Sequence, residues 1–204
     1  MNILGIIFAL AAGVFFGIIG PVTKTAYNLG AGVGLAIFLR YIVALLIVSP
    51  LIPYQKNLIK TYKDNFKLFL LITVASIMLT TGLLISVTYI NVSLTIIIFC
   101  TYPIIVLTIS IFVTKEKIKK IIKFLFITTF IGLFLALSPS TESLKVQGII
   151  FALIASLGAS IMIVTNQTMS KKNISPIEIN IFINFCNTIF FIVILSLFFE
   201  INLD

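Results

Sequence analysis

Residues 68–110 read LFLLITVASIMLTTGLLISVTYINVSLTIIIFCTYPIIVLTIS and contain no charged side chain. As a single α-helix this stretch would be about 65 Å long, roughly twice the thickness of the hydrocarbon core of a bilayer. It must therefore fold back on itself, and Tyr89-Ile90-Asn91-Val92-Ser93 is the segment that favours a tight turn. The stretch predicts two consecutive membrane-spanning helices.

The rest of the chain has the same apolar character. Hydrophobic residues make up 60% of it and charged residues 10%, whereas soluble domains have about 45–50% and about 25%. Its mean hydropathy is +1.25. A span needs about 20 apolar residues, and that length predicts seven spans: 3–27, 32–52, 67–89, 92–113, 121–138, 147–169 and 177–199. The predicted fold class is an all-α transmembrane, polytopic helix bundle with the lipid bilayer as its solvent.

Basic residues between the spans predict the orientation of the chain. Eleven of the 14 Lys and Arg residues fall on one side, in or beside the loops after the second, fourth and sixth spans: Lys56, Lys60, Lys63, Lys67, Lys115, Lys117, Lys119, Lys120, Lys123, Lys171 and Lys172. The opposite side has Lys145 in a loop. The positive-inside rule then predicts a cytoplasmic N-terminus in a multi-pass protein of the cell (plasma) membrane. Because the +8 net charge lies in short clusters between apolar runs, we expect no nucleic-acid partner.

An internal repeat is the most informative pattern. The hexapeptide Gly5–Leu10 (GIIFAL) recurs as Gly148–Leu153, 143 residues later. The first copy has a small residue at every fourth position, namely Ala9, Gly13 and Gly17. The second copy has small residues at the corresponding positions, namely Ala152, Ser156 and Ser160. Such a stripe allows helix backbones to approach closely in lipid, although two unrelated, tightly packed helices would also show it.

The repeat predicts how the chain is divided. The first unit would cover residues 1–142 with five spans, and the second would begin within 143–204, where only its first two spans are found. An odd number of spans inverts the second unit relative to the first, which is the architecture of many secondary transporters.

Several short motifs follow one another in a recognisable order: Gly20-Pro21-Val22-Thr23-Lys24, Phe38-Leu39-Arg40-Tyr41, Tyr89-Ile90-Asn91, Tyr102-Pro103-Ile104, Lys115-Glu116-Lys117 and a fifth helix containing Gly132. Their order and spacing resemble the five-helix unit of the EamA-like family, within the drug/metabolite transporter superfamily, over residues 3–138. The resemblance implies a ten-helix carrier made of two inverted units, of which this sequence would lack the last three helices.

Two charged residues are candidates for the substrate cavity. Arg40 lies well inside the second span, where a charge is costly unless it faces a cavity or a partner. It either contacts an anionic group or snorkels to backbone and water. Lys24 is about three residues from the outer end of its span at helical rise, and either snorkels or lines an outer vestibule.

The other cavity candidates are polar groups and a helix break. Asn180, Asn184 and Asn187 share one helix face at i, i+4 and i+7, and serve either interhelical hydrogen bonding or substrate contact. Pro103 removes a backbone hydrogen bond in mid-span and produces either a plain kink or a substrate-facing break. The remaining candidates are Ser76 and Thr80 on one face of the third span, Tyr102 beside the proline, and Gln167, the repeat-mate of Lys24.

These patterns predict a carrier for small organic metabolites, such as amino acids, that works by alternating access. The alternative is a non-transporting membrane subunit or scaffold, and a homodimer is left open. Enzymatic activity, a cofactor and a metal site are not expected, because the chain has no His and none of its six acids lies in the middle of a span. No catalytic residue is therefore assigned.

Overall fold

A computed structural model describes residues 3–55, 58–114, 120–137 and 145–201. All regular structure in these ranges is helical. The helices are α1 (Ile3–Asn28), α2 (Val33–Val48), α3 (Leu58–Asp64), α4 (Phe66–Tyr89), α5 (Val92–Phe99), α6 (Tyr102–Thr114), α7 (Lys120–Leu137), α8 (Val146–Lys171) and α9 (Pro176–Ile201), and a 3₁₀ segment, Ser49–Tyr54, follows α2. The prediction of an all-α fold is confirmed.

Six helical segments of the described ranges are long and apolar enough to cross a membrane: Gly5–Asn28, Val33–Tyr54, Phe66–Tyr89, Val92–Ile109, Val146–Lys171 and Pro176–Ser196. They correspond to the first four, the sixth and the seventh predicted spans. Helix α7 occupies the predicted fifth span but is not among the six, so seven spans remain a prediction. The predicted division at 142/143, together with Lys56 and the Lys115–Lys119 cluster, lies outside the described residues.

The turn inside the charge-free stretch falls where the sequence places it. Helix α4 ends at Tyr89 and α5 begins at Val92. Between them Asn91 is the N-cap of α5, and its Oδ1 accepts a hydrogen bond of 2.7 Å from the backbone N–H of Leu94. A side-chain acceptor at this position satisfies a helix N–H that has no partner within the helix, so the turn is fixed by local chemistry.

Two details differ from the predicted spans. The fourth span is two helices, α5 and α6, separated at Cys100 and Thr101. Pro103 has no N–H to donate to a carbonyl of the preceding turn, and proline is tolerated in the first turn of a helix, where it stands in α6. The loop after the second span contains α3, which the sequence did not predict because seven residues are too few for a periodic apolar signal.

Helix α4 packs along α8 at the centre of the bundle. A Cβ placed on Gly82 would lie 2.7 Å from the Phe151 carbonyl oxygen, and one on Gly158 would lie 2.7 Å from that of Ala75. The two backbones therefore touch at both glycines, which is the close approach that small residues permit in lipid. Helix α2 packs mainly on α9, and α5 and α6 lie against α8.

Candidate functional site

A buried polar cluster joins α2, α4 and α9, and we call it the hydroxyl–amide hub (Tyr41, Ser76, Thr80 and Asn187). The Tyr41 hydroxyl lies 2.8 Å from Thr80 Oγ1, 3.2 Å from the Ser76 carbonyl oxygen and 3.3 Å from Ser76 Oγ. Asn187 Nδ2 donates to Ser76 Oγ at 3.1 Å. All four side chains are at most 5% exposed. Polar groups in a membrane interior are costly unless they bond to one another, and here they link three helices.

One atom of the hub has no partner. Asn187 is 0% exposed, yet its Oδ1 accepts no hydrogen bond from the described part of the protein. An unpaired buried acceptor costs about 1–3 kcal/mol. Because Asn187 Oδ1 has no partner among the described residues, it can accept a hydrogen bond from a solute without breaking one within the described part of the protein.

The three asparagines of α9 divide between different surroundings. Asn184 is buried, and its Nδ2 donates to the Asn180 carbonyl oxygen at 2.9 Å. Asn180 is exposed, and its Nδ2 donates to the Pro176 carbonyl oxygen at 2.9 Å. Only Asn187 reaches the hub, because the axis of α9 carries Asn180 towards the end of the bundle.

Asn180 and Gln167 instead line the same cavity, the amide groove between α8 and α9. It is a cavity of about 380 Å³. Its polar lining residues are Asn166, Gln167, Ser170 and Asn180. Primary amides both donate and accept hydrogen bonds, so the groove can contact either carboxylate or ammonium groups.

Helix α8 holds the break between α5 and α6. Ser160 Oγ donates to the Tyr102 carbonyl oxygen at 3.1 Å, and Thr101 Oγ1 lies 2.9 Å from Ser156 Oγ. Ser156 and Ser160 are fully buried, as is Ala152. The structure therefore brings two residues of the small-residue stripe together with Tyr102 at the break before Pro103.

The matching stripe on α1 has different surroundings. A Cβ placed on Gly13 or Gly17 would meet no atom within 4 Å, and the side chain of Ala9 is outside the described set. None of the most apolar part of α1 is buried within the chain. The packing role assigned to these three residues stays a prediction.

The two charged candidates lie apart from the hub's hydrogen bonds. Lys24 Nζ donates to the Val87 carbonyl oxygen at 2.9 Å, which lies in the last turn of α4, where carbonyl oxygens carry partial negative charge. Arg40 is half-buried in α2 and forms no ion pair or hydrogen bond within the described ranges.

Sequence reasoning missed four residues of these sites: Tyr41, Thr101, Asn166 and Ser170. The sequence shows that Tyr41 is a polar aromatic residue inside a span, next to Arg40. Only the fold shows that its side of α2 packs against α4. Thr101 lies directly at the helix break, and Asn166 precedes Gln167. No group of three or more His, Cys, Asp or Glu side chains able to hold a metal occurs among the described residues.

Spanning-length apolar helices joined by buried polar contacts define a multi-pass helical membrane protein. Residues 3–138 match the family model of the EamA-like transporter family, and the chain belongs to this family. The resemblance found in the motifs is thus confirmed. Members of the family are transporters and not enzymes. No curated protein and no solved structure matches the chain.

Proposed function

We propose that the chain carries a small polar organic solute, such as an amino acid or a related metabolite, across the cell membrane by alternating access. Membership of the EamA-like family supports the transporter class. The side-chain Oδ1 of Asn187, which is buried and has no hydrogen-bond partner among the described residues, is the observation that supports a solute-binding role for the bundle interior.

The proposed path uses the hub and the amide groove. The hub residues lie between α2, α4 and α9, and the groove lies between α8 and α9, so α9 contributes Asn187 to one and Asn180 to the other. Arg40 would attract an acidic group of the solute. On the orientation that the lysines predict, the groove opens towards the cytoplasm.

The proposed inverted repeat gives this path its moving parts. Under the repeat, α1 and α2 are the mates of α8 and α9. Helix α2 packs directly on α9, as two mates do when a two-fold axis passes between them. Rocking of one unit against the other would change the α2–α9 contact, where the hub is located.

Solute exchange in proteoliposomes tests the proposal. Vesicles containing the purified chain are loaded with single amino acids or amines, and entry of the labelled solute is measured. We expect exchange for a subset of solutes and its loss in Asn187→Leu. Thr108→Val, at an exposed hydroxyl that bonds only its own helix, should exchange normally. Absence of exchange for every solute would contradict the proposal.

The non-transporting subunit or scaffold is the second candidate. The bare face of α1, with open space beside Gly13 and Gly17, favours it, because such a face can receive another helix. A chain that exchanges no solute but forms a stable complex through α1, lost in Gly17→Leu, would establish this alternative.

A further inference from the structure

Three lysines border one cavity at the end of the bundle where α3 ends, α4 begins and α8 ends. The cavity has a volume of about 560 Å³ and is lined by Lys63, Asp64, Asn65, Phe66, Lys67, Leu68, Thr168 and Lys172. We call it the lysine cavity. Its three ammonium groups face a single carboxylate, that of Asp64, so it carries an excess of positive charge.

Two long-range hydrogen bonds hold the walls of the lysine cavity in place. Lys172 Nζ donates to Asn65 Oδ1 at 2.9 Å, which joins α8 to the start of α4. The Tyr62 hydroxyl donates to the Glu178 carbonyl oxygen at 3.1 Å, which fixes α3 against α9. Burial raises the pKa of Tyr62 to about 12, so this donor keeps its proton at neutral pH.

The N-terminus of α4 adds to the positive potential. Asn65 is its N-cap residue, but its side chain makes no capping bond. Asn65 Nδ2 instead donates to the Thr61 carbonyl oxygen at 3.2 Å, while Oδ1 accepts from Lys172. The first turn of a 24-residue helix, with partial positive charge and no side-chain cap, therefore points to the same end of the bundle as the lysines.

A neighbouring cavity has no such excess of charge. It has a volume of about 390 Å³, and its charged lining residues are Lys60, Asp64, Lys172 and Glu178. Two positive and two negative groups balance there. Of these two cavities, the lysine cavity therefore has the greater excess of positive charge.

The lysine cavity also has an apolar wall that continues along α4. Phe66 is 57% exposed and Leu70, one turn further on the same face, is 51% exposed. The polar residues of the cavity are thus adjacent to an apolar surface, formed by Phe66 and Leu70, against which lipid acyl chains can pack. A free phosphate ion could use the lysines but not this wall.

We propose that the lysine cavity binds the phosphate group of an anionic phospholipid, whose acyl chains lie along Phe66 and Leu70. Lys63, Lys67 and Lys172 contact the phosphate oxygens, and the start of α4 contributes its partial charge. On the orientation that the lysines predict, this lipid belongs to the inner leaflet.

Native mass spectrometry of the full chain in a neutral detergent tests the site. Phosphatidylglycerol and phosphatidylcholine are titrated against the protein. We expect phosphatidylglycerol to bind more tightly, and the triple variant Lys63→Gln, Lys67→Gln, Lys172→Gln to lose at least about tenfold in its affinity. A control triple, Lys60→Gln, Lys145→Gln, Lys171→Gln, removes the same charge outside the cavity and should change this affinity less than about twofold.

Further controls distinguish a lipid phosphate group from free inorganic phosphate and check that the variants fold. Equal loss in both triples, or equal binding of the two lipids, would overturn the proposal, and so would displacement of the lipid by an equimolar concentration of inorganic phosphate. Arginine at Lys63, Lys67 and Lys172 should preserve phosphatidylglycerol binding. The three lysines are exposed, so the glutamine triple variant should have the same helical circular dichroism spectrum as the unchanged protein. If the triple variant does not fold, the single variant Lys67→Gln must still weaken phosphatidylglycerol binding.

Discussion

Arg40 is a charged residue whose role can be tested by a single substitution. It is half-buried in a spanning helix and has no counter-ion among the described residues, and a charge in that position is costly unless it faces a cavity or an anion. Arginine remains protonated at physiological pH, so it can attract a carboxylate but cannot carry a proton across the membrane.

Replacing Arg40 by Gln should therefore weaken uptake of carboxylate-bearing solutes about 10- to 100-fold, the value of a charged hydrogen bond. Any pH dependence of uptake should be unchanged. Solute exchange in proteoliposomes measures both, and Arg40→Lys, which keeps the charge, is the matched control. If every transported solute kept its affinity in Arg40→Gln, the residue would be snorkelling instead.

Asn187 allows stability to be separated from function. Replacing it by Leu removes both the unpaired Oδ1 and the hydrogen bond from Nδ2 to Ser76 Oγ. Because these two effects oppose each other, the free energy of unfolding should change by less than about 1 kcal/mol, while transport is lost. Cys100 and Cys186 are free and half-buried, so their reaction with a thiol dye during heating measures unfolding. A large loss of stability would show that the amide is structural.

At the scale of elements, the contact between α4 and α8 depends on two glycines. Gly158→Leu places a side chain where the Leu79 backbone nitrogen would lie 2.6 Å from its Cβ, so the helices must separate. We expect a loss of about 1–3 kcal/mol or more, measured by the same thiol-dye assay. Gly13→Leu, which meets open space, is the control, and equal loss in the two variants would contradict the close packing.

At the scale of the whole molecule, lysines mark one end of the bundle. Lys172 bonds to Asn65, so the end of α8 and the start of α4 lie together, with Lys63 and Lys67 nearby. Lys145 is at the other end, with its Nζ 6.0 Å from the centre of the Tyr89 ring. The fold thus collects at one end basic residues that are distant in the sequence.

This charge distribution makes the orientation testable in intact cells. In a variant without Cys100 and Cys186, a cysteine at Lys60 should resist a membrane-impermeant thiol reagent, whereas one at Lys145 should react. The physical reason is that basic loops are retained on the cytoplasmic side. Labelling at Lys60 only would reverse the orientation, and permeabilised cells should label at both positions.

The sequence by itself determined the class of protein, the family and most of the helix ends. These follow from local quantities: apolar length against bilayer thickness and the turn signal at residues 89–93. The sequence leaves open the division of the fourth span before Pro103, since a proline in a span produces either a kink or a break. Helix α3 was not predicted, because its seven residues carry too little periodic signal.

Which polar residues meet was decided only by the tertiary structure. Asn180 and Asn187 share a face of one helix, yet one lies in the amide groove and the other in the hub. Tyr41 joins Ser76 and Thr80 because α2 packs beside α4 and α9. Helical periodicity fixes the face on which a residue lies, but the partner of that face depends on how separate helices pack, and in lipid this is set by close steric fit rather than by hydrophobic patterning.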